Sequence, residues 1–350
     1  MSLVLTLMQP LRTQYQGTLD KNELRPSRYG AWDFYKQESA LASGVIDGDM
    51  RAKIKASFGN SVVVPVIDSR TVTIGNVRSC TIADDENTSK LVTITFVTYA
   101  FGFTMYPAQY YNNDIKYQTD FTTKMKLYTN KLAATLDSAA IANLEANKNT
   151  YWTGVSGNPY TQSGDALQVS QAQKNDYYNN LESIMATMDY YGPLHIVSST
   201  SGAPLVRRLA EQGAANQTNE QWQITPYDFH FTNRIPNAGG IQSTQYVVQE
   251  GSVGVETRVD PDAQLGHSVG SQMKWDKVNV PLPGGSSIEM GSFYREDCGD
   301  GSAVQTGMSG LTRTKREGWE FSVDVAFVNT YASAPSSQYR PILKTEISAT

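Results

Sequence analysis

The sequence predicts an α+β fold in which two strand-rich regions flank one long helix. Apolar residues recur at three- and four-residue steps through residues 117–148, and neither proline nor glycine interrupts them. Polar and β-branched residues alternate through residues 61–107, and strand patterns dominate again after residue 227. The glycine motifs that bind nucleotides and dinucleotides are missing, so no cofactor is predicted.

The composition bounds the size and the partners of the chain. Its 350 residues suffice for one large domain or for two to three modest ones. It has 29 Lys and Arg side chains against 34 Asp and Glu side chains, which gives a formal charge of −5. This balance excludes a protein that coats nucleic acid by neutralising phosphates, but it permits one that encloses DNA without sequence-specific binding. The 20 tyrosines suit wide, polar contacts between protein subunits.

Cysteines and apolar runs indicate the compartment. Cys80 and Cys298 are the two cysteines and lie far apart, so we expect free thiols in a reducing environment. No basic segment precedes the short apolar run at the N-terminus, and no apolar stretch approaches the roughly 18 residues that span a bilayer. We therefore expect a soluble intracellular product with no membrane partner.

Residues 1–60 are predicted to form an N-terminal arm with two short helices. Proline and glycine punctuate the first 30 residues, and no amphipathic period persists there. Helices are predicted at residues 31–41 and 49–58, the second ended by Gly59. These helices are too small to form a core of their own, so they must pack elsewhere.

Residues 61–113 are predicted to form an extended β-ribbon with flanking strands. Residues 62–67 make an edge strand, because Pro65 cannot donate to a strand ladder. Residues 71–82 and 90–103 alternate as the two arms of a long ribbon, joined by a polar, acidic tip. A two-stranded ribbon of this length is marginal in water and its edges invite pairing, so we expect a neighbouring subunit to support it.

Residues 114–152 contain the long helix. At 1.5 Å per residue, a helix of about 30 residues is roughly 45 Å long, well beyond the usual three or four turns. Thr119 or Asp120 is expected to cap its start, and Asp137 is expected to lie off its apolar stripe. The predicted stripe consists of Phe121, Met125, Tyr128, Leu132, Leu136, Ala139, Ala140, Asn143 and Leu144.

A polar, glycine-rich stretch after the long helix marks a boundary, and a compact α/β unit is predicted beyond it. A helix at residues 175–190 leads into a buried strand at 194–198 and then into a proline-initiated helix at 204–212. The apolar face of the first of these helices consists of Leu181, Ile184, Met185 and Met188. Further strands are predicted at residues 227–235, 245–249, 253–259, 273–280, 287–295, 319–331 and 339–347.

Residues 266–270, Gly-His-Ser-Val-Gly, match the G-x-S-x-G pattern of a nucleophile elbow around Ser268. An elbow requires a buried strand before the serine, but Pro261 and polar residues precede this one. The catalytic histidine of such hydrolases follows the serine, and no histidine occurs after His267. A chance match is therefore favoured, and an intracellular serine hydrolase using Ser268 stays as an alternative.

The histidines and cysteines do not form a metal-binding pattern. His195 lies in an apolar strand and is interpreted as a satisfied core residue. No two histidines stand at ligand spacing and neither cysteine has a close partner, so zinc is not expected. The acidic turn at residues 296–301 lacks the alternating ligands of a calcium loop. No catalytic, cofactor-binding or metal-binding residue is predicted.

Charged residues at two places are candidate contacts between subunits. The densest basic cluster is either a solvated loop or a counter-charge for an acidic surface on another copy, such as the ribbon tip. The candidate contact residues are Asp84, Asp85, Glu86 and Lys90 on the ribbon, and Arg313, Lys315 and Arg316 in the basic cluster.

The order of these parts resembles the major capsid proteins of tailed double-stranded DNA phages, the Hong Kong 97-like fold. Residues 131–140, Lys-Leu-Ala-Ala-Thr-Leu-Asp-Ser-Ala-Ala, are similar to the spine helix of that family. Residues 184–210, a helix, an apolar strand and a proline-initiated helix, look like the start of its axial domain. The resemblance covers most of the chain in organisation and includes no diagnostic short motif.

The resemblance implies a division of the chain into five parts. These are an N-arm (1–60), an extended ribbon or E-loop (61–113), a spine helix in a peripheral domain (114–152), an axial domain (153–316), and strands returning to the peripheral domain (317–350).

It also implies a function. The chain would be a structural capsid subunit and not an enzyme, assembling from copies of itself as hexamers and pentamers into an icosahedral head that encloses DNA. Scaffolding, portal and decoration proteins would be further partners. Assembly would take place in the host bacterial cytoplasm, and the product would be part of the virion. An encapsulin-type shell protein with protein cargo is the nearest alternative, and a phage tail or portal-vertex component is a weaker one.

Overall fold

Two six-stranded sheets, a two-stranded ribbon and one long helix make up most of the chain, which confirms the α+β class. None of the described helices is both long and apolar enough to cross a bilayer. The computed structural model describes residues 8, 10, 29–41, 48–57, 59, 61–67, 89–111, 116–152, 160–174, 176–207, 227–270, 272–283, 286–299, 314–330 and 338–349.

The helices begin and end within a few residues of the predicted limits. The proline-initiated helix is described at residues 203–207, and the rest of its predicted range lies outside the described residues. The named helices are α1 (Gly30–Ala40), α2 (Gly48–Lys55), α3 (Tyr117–Ala146), α4 (Tyr177–Thr187) and α5 (Pro261–Leu265), with short 3-10 turns at Pro107–Tyr110 and Thr200–Gly202.

The strands fall into three sheets. The strands are β1 (Ser61–Ile67), β2 (Ser89–Thr95), β3 (Val97–Met105), β4 (Thr161–Ser163), β5 (Ala166–Val169), β6 (Leu194–Ser199), β7 (Tyr227–Thr232), β8 (Ile241–Gln249), β9 (Val253–Arg258), β10 (Ser268–Val269), β11 (Met273–Pro281), β12 (Ser287–Gly299), β13 (Thr314–Asn329) and β14 (Ile342–Ser348).

The first sheet has the order β10-β11-β12-β13-β3, and β9 also pairs with β13. The second sheet has the order β4-β5-β14-β8-β6-β7, in which the β5–β14 and β6–β7 pairs are parallel. The ribbon consists of β1 and β2 alone. Strands β9 to β12 join the first sheet, and β14 lies in the middle of the second. The chain therefore crosses between the sheets more often than a division at residues 153 and 316 implies.

Helix α3 covers one face of the first sheet with the apolar stripe that its spacing predicts. Phe121 meets Trp319 of β13 and Phe103 of β3 edge to face, each with ring centroids 5.4 Å apart. Two details of the predicted stripe are wrong. Tyr128 is 37% exposed, whereas Asp137 is fully buried.

The predicted N-cap of α3 is also wrong. The cap position is Lys116, which makes no side-chain cap hydrogen bond, so the helix begins before Thr119 and Asp120. The Asp120 carboxylate instead accepts a hydrogen bond from the Tyr110 hydroxyl and pairs with Lys124 at 3.1 Å. A carboxylate in the first turn still interacts favourably with the positive end of the helix dipole.

Helix α4 packs against one face of the second sheet. All six residues of β6 are buried, as its uninterrupted apolar run predicts. The α4 residues that form the predicted apolar face all enter the same core, namely Leu181, Ile184, Met185 and Met188.

The strand predicted at residues 90–103 is two strands in different sheets. Strand β2 ends at Thr95 and pairs with β1, whereas β3 begins at Val97 and pairs with β13. Between them Phe96 is buried in a small core with Ile94 of β2. The buried Phe96 side chain marks the point at which the chain leaves the ribbon and enters the first sheet. The partner arm predicted at residues 71–82 lies outside the described residues.

Candidate assembly surfaces and a buried polar junction

The ribbon is the first candidate assembly surface. Strands β1 and β2 pair antiparallel from Ser61–Thr95 to Ile67–Ser89. Within the described part of the chain, no third strand pairs with either of them. Val63 in β1 is 53% exposed, so the ribbon also presents apolar side-chain area to solvent.

The root of the ribbon is fixed firmly to the body by Arg258 of β9. Its guanidinium contacts Asp324 Oδ2 with both Nε (3.1 Å) and Nη2 (2.9 Å), and it lies 4.3 Å from the centre of the Phe96 ring. It also donates to the carbonyl oxygens of Ser57 and Gly59 at 2.9 and 2.8 Å. A planar, fully charged fork suits this set of partners. The ribbon therefore projects from a rigid base.

The basic cluster already has acidic partners in its own chain. Arg316 donates two hydrogen bonds to the Asp297 carboxylate at 2.7 and 2.6 Å, and these hold the pKa of that carboxyl below its usual range. Lys315 lies 3.3 Å from Glu296 and 3.1 Å from Glu317. An additional contact with another subunit would therefore have to compete with these pairs.

The other predicted contact residues are less fully described. Asp84, Asp85, Glu86 and Arg313 lie outside the described residues. Lys90 lies in β2 opposite Val66, which places it on the ribbon as predicted. The pairing of the ribbon tip with the basic cluster stays a prediction.

Ser268 does not lie in the setting of a nucleophile elbow. A short helix, α5, precedes it and ends at Gly266 in the left-handed conformation (φ 67°), and the serine itself lies exposed in the two-residue strand β10. His267 directs its Nδ1 atom at Asp262, 3.1 Å away. An elbow has the opposite order, with a buried strand before the serine and a helix after it.

A groove of about 790 Å³ lies across β3, β13 and β12, beside the first half of α3. Tyr128 stacks on Phe101 and Phe103 there, with ring centroids 5.4 and 5.8 Å apart, and Lys124 donates to the Thr104 carbonyl oxygen at 3.2 Å. The sequence pattern does not indicate this groove, because helical spacing assigns Tyr128 to the core. Among the described strands β3 pairs only with β13, so its other edge is open to an added strand.

A buried polar junction joins α1, α3 and the second sheet around Asp137. The Asp137 carboxylate accepts hydrogen bonds from the Trp32 backbone N–H of α1 (3.0 Å) and from the Thr232 hydroxyl of β7 (2.6 Å). Arg234 lies 3.4 Å away. Burial raises the pKa of Asp137, and these three partners oppose the rise. The carboxylate thus ties three elements together.

A second buried carboxylate lies at the other end of α1. Glu38 is fully buried and accepts a hydrogen bond from the Gly251 N–H at 2.6 Å. Burial raises its pKa to about 7. Its Oε1 atom faces Nε2 of His195 in β6 at 3.2 Å, without the alignment of a hydrogen bond. On the other side of that ring, His195 Nδ1 lies 3.5 Å from Nε2 of His230.

His195 is buried, as predicted, but it is not fully satisfied, because its Nε2 atom makes no hydrogen bond within the described part of the chain. The sequence also did not predict Glu38 and His230 as its neighbours. Across the described ranges, no three His, Cys, Asp or Glu side chains are arranged to hold a metal ion. A local signal for Glu38 was present, because Ala31, Phe34, Tyr35 and Glu38 follow the spacing of one helical face and all four are buried.

Comparison with known proteins gives a likeness of fold. No protein-family model matches the chain, and no curated protein matches it in sequence. A solved chain from Mycobacterium phage Che8 is similar over 87% of this chain and 90% of its own length, with 8% identity and a TM-score of 0.46.

Two further solved structures are similar to a comparable extent. The capsid of Cyanophage P-SCSP1u is similar over 85% of each chain, with 12% identity and a TM-score of 0.43. The capsid of a native GTA particle is similar over 87% of this chain and 92% of its own, with 11% identity and a TM-score of 0.44. The names of these structures are those of a phage and of capsid particles.

Proposed function

We propose that the chain is a structural capsid subunit that assembles with copies of itself into a shell enclosing DNA, and that its place is the phage virion. The observation that carries this proposal is the β1–β2 ribbon. It has a rigid root, and no third strand pairs with it in the part of the chain that the structure describes.

The ribbon has strand edges that pairing with another chain would satisfy. A two-stranded ribbon without a packed face is marginal in water, and its outer N–H and C=O groups are available to an adjacent chain. Its root core contains Ile54, Ile94, Phe96 and Ala326, so the body supports the base of the ribbon. We infer that the remainder is covered by a neighbouring copy, in the hexamers and pentamers of a closed shell.

The charges of the chain fit a shell that encloses DNA without specific contacts. The formal charge is −5, and the densest basic cluster is paired with Asp297, Glu296 and Glu317 of the same chain. The wall of such a shell does not need a phosphate-binding groove, because closure of the particle retains the DNA. Scaffolding, portal and decoration proteins are proposed as further partners.

The order of elements supports a Hong Kong 97-like arrangement. A short arm helix (α1) precedes the ribbon, and a 30-residue helix (α3) follows it. A helix–strand–helix unit further along the chain contributes β6 to the second sheet. In this proposal α3 is the spine helix and the β1–β2 ribbon is the root of the E-loop. Assembly is proposed to take place in the host bacterial cytoplasm.

The proposal is tested by shortening the ribbon at its paired register. Val63 lies opposite Thr93, so residues 64–92 can be replaced by a two-residue Asn-Gly turn that suits a hairpin. The root residues Ile94 and Phe96 stay in place. We expect a folded, soluble subunit that forms no closed particles by electron microscopy, whereas the unaltered chain forms them.

A matched control separates assembly from enzymatic activity. Ser268→Ala alters an exposed side chain far along the chain from the ribbon, and we expect it to assemble as the unaltered chain does. Closed particles from the shortened ribbon would overturn the proposal. Esterase activity that is lost in Ser268→Ala would favour the hydrolase alternative instead.

A further inference from the structure

Helix α1 is docked onto the second sheet through two histidines on neighbouring parallel strands. His195 of β6 and His230 of β7 have ring centroids 5.7 Å apart. The Phe34 ring of α1 covers both, at 5.4 Å from His195 and 5.3 Å from His230. Glu38, one turn further along α1, closes the inner side of His195. The docked helix therefore buries the His195 imidazole and partly covers the His230 imidazole.

The geometry limits how many protons the histidine pair can carry. Nδ1 of His195 and Nε2 of His230 face each other at 3.5 Å, so one nitrogen can carry a proton while the other offers its lone pair. With both rings fully protonated, two N–H groups and two positive charges would oppose each other in a partly buried site. Two like charges at this separation disfavour the doubly charged state.

The charged groups around the two histidines do not offset the repulsion between two protonated rings. From α1 the pair is faced by Glu38, and from the turn between β8 and β9 Glu250 acts on His195 at longer range. Asp228 of β7 lies 3.7 Å from His195 Nδ1, but its side chain is 66% exposed and its charge is well hydrated. Strand β8 presents apolar Val248 opposite His195.

We propose that His230 and His195 form an acid-sensitive latch: helix α1 is held most firmly on β6 and β7 while His230 is neutral, and protonation of His230 weakens this docking. This device does not depend on the proposed shell function, because it is a property of the single chain. In this proposal, the protonation state of His230 controls how strongly α1 is held on the second sheet.

The direction of the effect follows from the two states of His230. Burial, and then the neighbouring His195, lower the pKa of docked His230 to about 4. An undocked histidine has a pKa of about 6.5, so docking loses stability as the pH falls through that value. Taken by itself, the pKa difference of His230 raises the undocking equilibrium roughly tenfold between about pH 7.5 and about pH 5.5.

Glu38 and His195 act in opposite directions in this pH range. Burial raises the pKa of Glu38 to about 7, so its proton uptake favours the docked state as the pH falls. Burial lowers the pKa of His195, so its proton uptake favours the undocked state. The contribution of His230 is therefore isolated by comparison with His230→Phe.

The test is hydrogen exchange of the full chain at pH 7.5 and 5.5, read by mass spectrometry and corrected for the intrinsic exchange rate. We expect the protection of peptides from α1 to fall at the lower pH by up to about tenfold, while peptides from the C-terminal half of α3 keep their protection. His230→Phe retains a ring against Phe34 and cannot take up a proton, so we expect it to remove the loss of protection.

Two further variants sharpen the test. His267→Gln alters the exposed third histidine and should behave like the unaltered chain. Glu38→Gln removes the group that opposes His195, so the loss of protection between the two pH values should become steeper.

The latch is overturned by equal protection of α1 at both pH values, or by a loss of protection that persists in His230→Phe. If the aromatic replacement fails to fold, His230→Gln is also uncharged at both pH values and decides between the same two outcomes.

Discussion

The ribbon and the buried junction fulfil opposite roles in the same chain. The junction around Asp137 brings α1, α3 and β7 together, and its carboxylate has three partners from the chain itself. The β1–β2 ribbon has a well-anchored root, but no third strand pairs with it among the described residues. The junction is complete within one copy, whereas we propose that the ribbon is completed by another. Changes in the junction should therefore affect folding, and changes in the ribbon should affect assembly.

The largest expected effect on stability is at the junction. Asp137→Ala leaves the Trp32 N–H, the Thr232 hydroxyl and Arg234 without their shared acceptor in a buried site. Removing one partner from such a site costs about 3–5 kcal/mol, so we expect a loss of this size in the free energy of unfolding in urea. Asp137→Asn keeps one acceptor oxygen and should lose less. Equal stability of the alanine variant and the unaltered chain would contradict the assigned role.

An intermediate effect is expected at the root of the ribbon. Arg258→Lys retains the positive charge but loses the fork that contacts Asp324 twice while reaching the Ser57 and Gly59 carbonyls. We expect a loss of about 2 kcal/mol in the free energy of unfolding, because at least two hydrogen bonds to a charged group disappear. Urea unfolding followed by circular dichroism measures it. No change in stability would mean that the root does not depend on this fork.

The smallest effect on stability is expected on the ribbon itself. Val63 is 53% exposed and its strand is paired on one side, so Val63→Lys should change the free energy of unfolding by less than about 0.5 kcal/mol. The same change places a charge on the surface that we propose a neighbouring copy covers. Particle yield by sedimentation should therefore fall strongly. A large loss of subunit stability with normal particle yield would reverse the comparison.

Local patterns predicted the elements well because each reflects the periodicity of a single segment. The stripe of α3 identifies Phe121, Met125 and Leu136 as core residues, and the apolar run of β6 identifies a buried strand. Phe96 was assigned to a continuous strand, because alternation continues on both sides of it. What breaks the strand is packing against Ile54 and Ala326, which are distant in sequence.

The polar junction could be predicted only in part. Asp137 lies four residues after Ala133 and four before Ile141, and all three are buried, so the core face of α3 is wider than the predicted stripe, which excluded Asp137. Its partners Trp32 and Thr232 are about a hundred residues away on opposite sides, and no local pattern links them. Glu38 and His195 present the same difficulty. The local pattern indicates that Glu38 and His195 are buried, but the identity of their partners depends on the topology of the fold.

The central claim, that the ribbon is completed by another copy, is tested most directly by amide exchange in β2. Every second N–H of β2 points away from β1, and in a lone subunit these groups should exchange quickly because no other described strand pairs with them. Assembled particles should exchange them much more slowly, while β6 stays protected in both forms. Slow exchange of these β2 amides in a monodisperse monomer would contradict the account.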